Sequence, residues 1–242
     1  MRRAFLRFRI FDFSSKILKL PDLGSEQLFF LRFWFHSAPA KLFMVKEGFP
    51  FVIVPALLAL IAAFFQVWLL AAAFVLLAAF MAYFFRDPFR RIPAGERLIL
   101  SAADGKVTRI DSTEAGKIVS VFLSPIDVHI NRSPIAGKII NVDYIKGKKG
   151  PATTNNASFI NERNSLTIQN ELMTVVCTQI AGIVARRIVC WKANGDTLAS
   201  GEKFGLIKFS SRTDLLMPNE VELKVSIGDR VVGGETVIAE LP

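Results

Sequence analysis

Arg86-Asp87-Pro88-Phe89-Arg90-Arg91-Ile92-Pro93 divides the chain into two kinds of sequence. Upstream of it, from Gly48 to Phe85, no side chain is charged. A helix of that length would run about 57 Å against a hydrocarbon layer of about 30 Å, so one straight crossing cannot use all of it. Pro50 and Pro55 stand early in the run and Gln66 near its middle. This predicts two short helices turning near Phe65–Trp68; a single tilted helix is the other arrangement. Arg32, Lys41 and Lys46 precede the run, and Arg86, Arg90, Arg91 and Arg97 follow it. Lys and Arg beside membrane segments favour the cytoplasmic side, so two basic flanks favour a hairpin with both ends there. The expectation is a membrane-inserted hairpin over 48–85, with the rest of the chain on the cytoplasmic side of the cell membrane.

Downstream of the juncture the sequence changes to short β-rich runs separated by Gly, Asn and Asp. Lys117–Leu123, Lys138–Ile145, Ser165–Gln169, Thr174–Ile180, Arg187–Trp191 and Gly205–Phe209 read as strands. Asn194-Gly195 reads as a hairpin turn, and Ile227-Gly228-Asp229 and Gly233-Gly234 as two further tight turns. The predicted fold class is mainly β: a compact β domain with few helices over 86–242, preceded by the hydrophobic helical hairpin.

A formal net charge of +9 beside 52% hydrophobic residues is unusual for one soluble globule of 242 residues. The segment 1–47 is basic, with Phe5, Phe8, Phe11 and Phe13 interleaved among its first arginines. Cationic heads suit anionic lipid and aromatic rings suit the interface, so this segment reads as a membrane-surface element. A nucleic-acid partner is disfavoured, because the excess charge sits beside the apolar run. Cys177 and Cys190 lie in apolar surroundings without metal-binding spacing, which predicts buried reduced thiols and no metal site.

Three places carry chemistry. Ser101-Ala102-Ala103-Asp104-Gly105 presents an acid just before a strand, and Asp127-Val128-His129-Ile130-Asn131-Arg132-Ser133-Pro134 holds the only histidine of the β portion. The third is the serine pair in Gly205-Leu206-Ile207-Lys208-Phe209-Ser210-Ser211-Arg212-Thr213-Asp214. Most serine pairs are solvated turn residues. A serine in a strand has a second option: its hydroxyl attacks the preceding carbonyl, here that of Ser210, and converts the amide to an ester. Elimination then releases the upstream chain and leaves dehydroalanine, which hydrolyses to a pyruvoyl group. Such a carbonyl forms a Schiff base with an amine and acts as an electron sink. The reaction needs a base near the hydroxyl and an acid to orient it. Asp104, His129 and Ser211 are the simplest such set.

These features together resemble the phosphatidylserine decarboxylase proenzymes of the short, membrane-associated bacterial and archaeal type, from about Lys46 to Leu241. The matching motifs are Glu47-Gly48-Phe49-Pro50, Tyr83-Phe84-Phe85-Arg86-Asp87-Pro88, Ala103-Asp104-Gly105, and Asp127 to Pro134. They continue with Asn161-Glu162-Arg163-Asn164, Gln179 to Cys190, and Gly201 to Phe209. The resemblance implies autoproteolysis between Ser210 and Ser211, giving a β chain to 210 and an α chain, 211–242, that stay associated. It further implies a pyruvoyl cofactor derived from Ser211, no metal, and decarboxylation of phosphatidylserine to phosphatidylethanolamine. His129 is expected to transfer protons, with Asp104 holding it, and Arg186 and Arg187 to bind lipid phosphate or substrate carboxylate. Two positions depart from the family pattern: Ser210 stands where glycine is usual, and Ala102 where proline is usual. Glycine accepts strained backbone that serine resists, so Ser210 predicts slower cutting. Two other readings compete: a non-cleaving lipid-binding relative, and a membrane-tethered lipoyl-like or phosphocarrier β module, suggested by the turn-rich stretch Val225–Thr236.

Overall fold

A computed structural model describes residues 43–147, 150, 160–182, 187–208 and 211–242. Most of the basic, Phe-rich segment, together with Arg186, Phe209 and Ser210, lies outside the described residues. The uncharged run forms two helices, α1 (Phe49–Phe64) and α2 (Trp68–Phe84). Pro50 sits in the first turn of α1, where no intrahelical partner is lost. The three residues between the helices turn the chain with Gln66 at φ 58°, in the interval where the sequence predicts the reversal. With the single 3-10 turn that precedes it, Lys46–Phe64 is long and apolar enough to cross a membrane by length and composition, whereas α2 is shorter. Around the turn, Phe64, Phe65, Trp68 and Leu69 are exposed.

The open end of the hairpin is packed against protein. Val45, Phe84 and Phe85 are buried with Val128, Ile130 and Leu206. Phe51 stacks on Phe85 with ring centroids 5.2 Å apart, and the Trp191 indole N–H donates to Glu47 Oε1 at 2.8 Å. Gly48 permits this closeness, because a Cβ there would lie 2.5 Å from Phe85 Cβ and 2.7 Å from its Cγ.

The β portion comprises three antiparallel sheets among the described residues. The largest contains β2 (Gly105–Thr113), β3 (Gly116–Leu123), β5 (Gly137–Ile145), β6 (Arg163–Gln169), β7 (Thr174–Ala181), β9 (Thr197–Leu198), β11 (Ser211–Met217) and β13 (Arg230–Val231). Its order is β13-β2-β3-β11-β7-β6-β5-β9. A second sheet joins β1 (Leu98–Leu100), β14 (Val237–Glu240) and β12 (Glu222–Leu223). The third has β10 (Lys203–Lys208) between β4 (Ile130–Arg132) and β8 (Arg187–Cys190). All six predicted strands are present with shifted ends, and no helix is assigned among the described residues after Arg86 apart from a fragment at Ile160.

Period-two alternation places Val119, Val121, Leu166, Ile168, Val175, Cys177, Leu215 and Met217 in one core with Ile99, Ile238, Ala239 and Phe204. Cys177 is buried there and burial pushes its thiol up, whereas Cys190 is only half-buried. Both thiols are free. Asn194-Gly195 is a turn but not the tip of a hairpin, contrary to the sequence expectation. The strands on either side of it do not pair: β8 pairs with β10, and β9 with β5. Gly195 adopts φ +95° and its N–H donates to the Ile139 carbonyl, while Asp196 accepts from the Ala193 N–H. The same turn chemistry therefore carries the chain from one sheet to another.

Candidate functional site

Ser211 begins β11, held between β3 and β7, with Leu123 and Ala181 as its register partners. Side chains alternate across the sheet, so Ser211, Thr213, Leu215 and Met217 share the core side. Arg212 and Asp214 occupy the other side as an ion pair of 2.8 Å that is itself largely buried. Ser211 is fully buried, and its Oγ has no hydrogen-bond partner among the described residues. A buried hydroxyl costs free energy unless paired, so an orphan of this kind calls for a chemical or a ligand-binding explanation.

His129 precedes β4, and its carbonyl accepts from the Ile207 N–H of β10 at 3.2 Å. Its Nδ1 lies 2.9 Å from the Asp127 carbonyl oxygen. A carbonyl can only accept, so Nδ1 carries the proton and Nε2 presents a lone pair. That Nε2 is a second buried atom without a partner among the described residues. The Phe84 ring covers the imidazole, with centroids 4.2 Å apart and planes at 31°. Burial lowers the His129 pKa to about 4, against the smaller opposing influence of Asp127. The ring is a neutral base over the physiological range.

The expected Asp104–His129 contact is not present. The Asp104 carboxylate binds the Arg90 guanidinium at 2.7 Å and accepts the Gly233 N–H at 2.8 Å. Burial raises its pKa, and Arg90 opposes that shift. The group that orients His129 is the backbone carbonyl of Asp127. The Asp127 carboxylate is occupied elsewhere: it accepts from Ser124 N at 2.8 Å and Ser124 Oγ at 2.7 Å, and pairs with Arg230. Sequence reasoning favoured a carboxylate because side chains are visible in a sequence and carbonyl directions are not.

A chain of buried amides also escaped that reasoning. Asn164 Nδ2 donates to Gln179 Oε1 at 3.0 Å, Gln179 Nε2 to Asn131 Oδ1 at 2.9 Å, and Asn131 Nδ2 to Thr213 Oγ1 at 3.0 Å. It links β6, β7, β4 and β11 and ends two residues from Ser211. Each member lay inside a matching motif or beside the serine pair, which was the available signal. Nearby, Asp87 joins Arg132 of β4 at 3.1 Å and Lys203 of β10, tying the juncture to the same strands. Arg187 is exposed at the start of β8, where it is the register partner of Lys208 in β10. No cluster of metal-ligating side chains occurs among the described residues.

Comparison with known proteins bears on this arrangement. A family model described as phosphatidylserine decarboxylase matches residues 77–239. The chain is 41% identical over 207 residues to a phosphatidylserine decarboxylase proenzyme of Syntrophus aciditrophicus, covering 80% of this chain and 95% of that protein. It is 43% identical over 207 residues to the proenzyme of Symbiobacterium thermophilum, covering 82% and 96%. With the proenzyme of Ruegeria pomeroyi the identity is 44% over 210 residues, covering 82% and 95%.

Proposed function

Because this chain belongs to the phosphatidylserine decarboxylase family, and is a decarboxylase of phospholipid synthesis, we propose that it converts phosphatidylserine to phosphatidylethanolamine after cutting itself between Ser210 and Ser211. The observation that carries this reading is a pair of buried atoms without a partner among the described residues, Ser211 Oγ at the start of β11 and His129 Nε2 just before β4, two strands joined by the Asn131–Thr213 hydrogen bond. A nucleophile and a base both lacking a partner fit a reaction between them. The fit to a pyruvoyl group rests on the same orphaned hydroxyl, at the first residue of a strand held on both sides. When formed, that group supplies an electron sink for an amine-bearing substrate.

His129 takes the Ser211 hydroxyl proton through Nε2, since Nδ1–H is committed to the Asp127 carbonyl. After cutting, the same Nε2 is the group placed to hold or return a proton during decarboxylation. Asp104 acts through its surroundings: its turn docks on β4, where the Ala102 carbonyl accepts from Arg132 N at 2.9 Å and Asn131 Nδ2 at 3.4 Å. Arg86 donates to the Tyr83 and Ile126 carbonyls, at 2.8 and 2.9 Å, and fixes the loop leading to His129. The chain from 211 onward stays bound because β11 lies between β3 and β7, β13 pairs with β2, and β14 pairs with β1. Substrate lipid reaches the site from the bilayer in which the hairpin is inserted, with the β portion cytoplasmic. Arg186 and Arg187 are assigned to anionic groups of the lipid headgroup.

Intact-mass measurement of the purified protein tests this reading. The expected result is a fragment beginning at residue 211 whose terminus is blocked and gains mass on borohydride reduction. A wild-type chain that stays whole would refute it, and a fragment that persists in Ser211→Ala would move the nucleophile to Ser210. His129→Ala is expected to slow cutting, decarboxylation or both; unchanged rates of both remove it from the site.

A further inference from the structure

We propose that Phe84 is a positioning residue for the reaction: its ring covers His129 and holds the imidazole dry on the Asp127 carbonyl, so that the docked hairpin completes the base. This rests on the reading of His129 as the proton-transfer group. Phe84 is the last residue of α2, and it and His129 are 1% and 2% exposed. The contact is not an isolated ring pair. Phe84 meets Phe85 edge-on at 4.9 Å, and both are buried with Val128 and Ile130, the residues on either side of His129. The end of the hairpin is thus the wall of the histidine's pocket.

Among the described residues, the charged groups around the imidazole are few. From the loop before β4 comes Asp127, whose carboxylate is paired with Arg230. From the exit of α2 comes Arg86, whose charge opposes protonation. On β10, Leu206 is buried in the same cluster, and the Lys208 ammonium lies 5.1 Å from the centroid of the Phe51 ring. From the turn before α1, Glu47 is bonded to Trp191. Desolvation outweighs all of these in setting the proton affinity, and Phe84 is a large side chain in ring contact with the imidazole. Opening that wall therefore hydrates the imidazole and moves its pKa from about 4 toward the ordinary 6.5.

The sequence holds two histidines, so a His36→Gln chain leaves His129 as the sole imidazole. Its C2 proton can be titrated by NMR in the full-length protein in detergent micelles. The expected midpoints are about 4 for this parent, higher for Phe84→Leu and higher again for Phe84→Ala. At pH 5.5 the protonated fraction rises from roughly 3% to as much as roughly 90%, so the Ala variant's rate relative to pH 8 falls about tenfold. A folded Phe84→Ala chain that titrates like its parent, or loses rate equally at both pH values, overturns the proposal and leaves Phe84 a packing residue only. Should the Ala chain not fold, Phe84→Leu decides by the same midpoint. Failure of the underlying reading is separate, since it shows as unchanged rates in His129→Ala whatever the titration of the Phe84 variants.

Discussion

Replacing Gln179 by Leu removes the middle of the buried amide chain. Gln179 is fully buried; it accepts from Asn164 and donates to Asn131, which are 3% and 0% exposed. The substitution leaves Asn164 Nδ2 and Asn131 Oδ1 each without this partner inside the protein. An unsatisfied buried polar group costs about 1–3 kcal/mol, so the two together cost roughly 2–6 kcal/mol. In a domain of this size that corresponds to a fall in melting temperature of roughly 5–20 °C. The measurement is best made in a Ser211→Ala background, where the chain is expected to stay whole, by thermal melting and by denaturant titration at fixed detergent. Asn131→Leu and the double variant complete a cycle. Because both changes remove the same hydrogen bond, the double variant is expected to lose clearly less than the sum of the two. Restoring Ser211 adds a kinetic readout: Asn131 also holds Thr213, so self-cutting slows as β11 loosens. A loss below about 1 kcal/mol, or strict additivity, would refute the reasoning that these amides act as one network.

Gly48→Ala drives a Cβ into Phe85 and is expected to cost about 1–3 kcal/mol by overpacking, read as a lower melting temperature and faster hydrogen exchange at the base of α1 and α2. The buried neutral His129 also predicts a pH dependence of stability. The unfolded imidazole takes a proton below about 6.5 and the folded one only near 4, so its contribution is complete above about 6.5. It declines as pH falls between those values, reaching a loss of about 3 kcal/mol that His129→Gln abolishes when both chains are melted across the range. Finally, the cut pieces are expected to co-purify in mild detergent and to separate only in denaturant. The segment after 210 buries Leu215, Met217, Val221, Val231 and Ile238 in the shared core, each worth about 1.5–3 kcal/mol. Separation on gel filtration without denaturant counts against that estimate.

Much of this architecture is legible in one dimension. An uncharged run interrupted by Pro50, Pro55 and Gln66 points to short apolar helices, and period-two alternation bounded by Gly, Asn and Asp points to strands, because each depends on local backbone geometry. The residue types at the site are legible for a similar reason: a serine pair in a strand, one histidine and one turn-borne aspartate narrow the chemistry before any coordinates exist. Partnership is different, because it depends on where strands distant in sequence are brought together. The tertiary structure gives Asp104 to Arg90 and Gly233, gives His129 to the Asp127 carbonyl and the Phe84 ring, and makes Asn194-Gly195 a passage between sheets. It also joins the hairpin to the histidine, which the sequence separates into two regions of opposite composition. The sequence by itself determined which elements form and which side chains are available for chemistry. Only packing decided which of them meet, since a carbonyl's direction, a ring's cover and a buried amide's partner are properties of neighbours and not of residues.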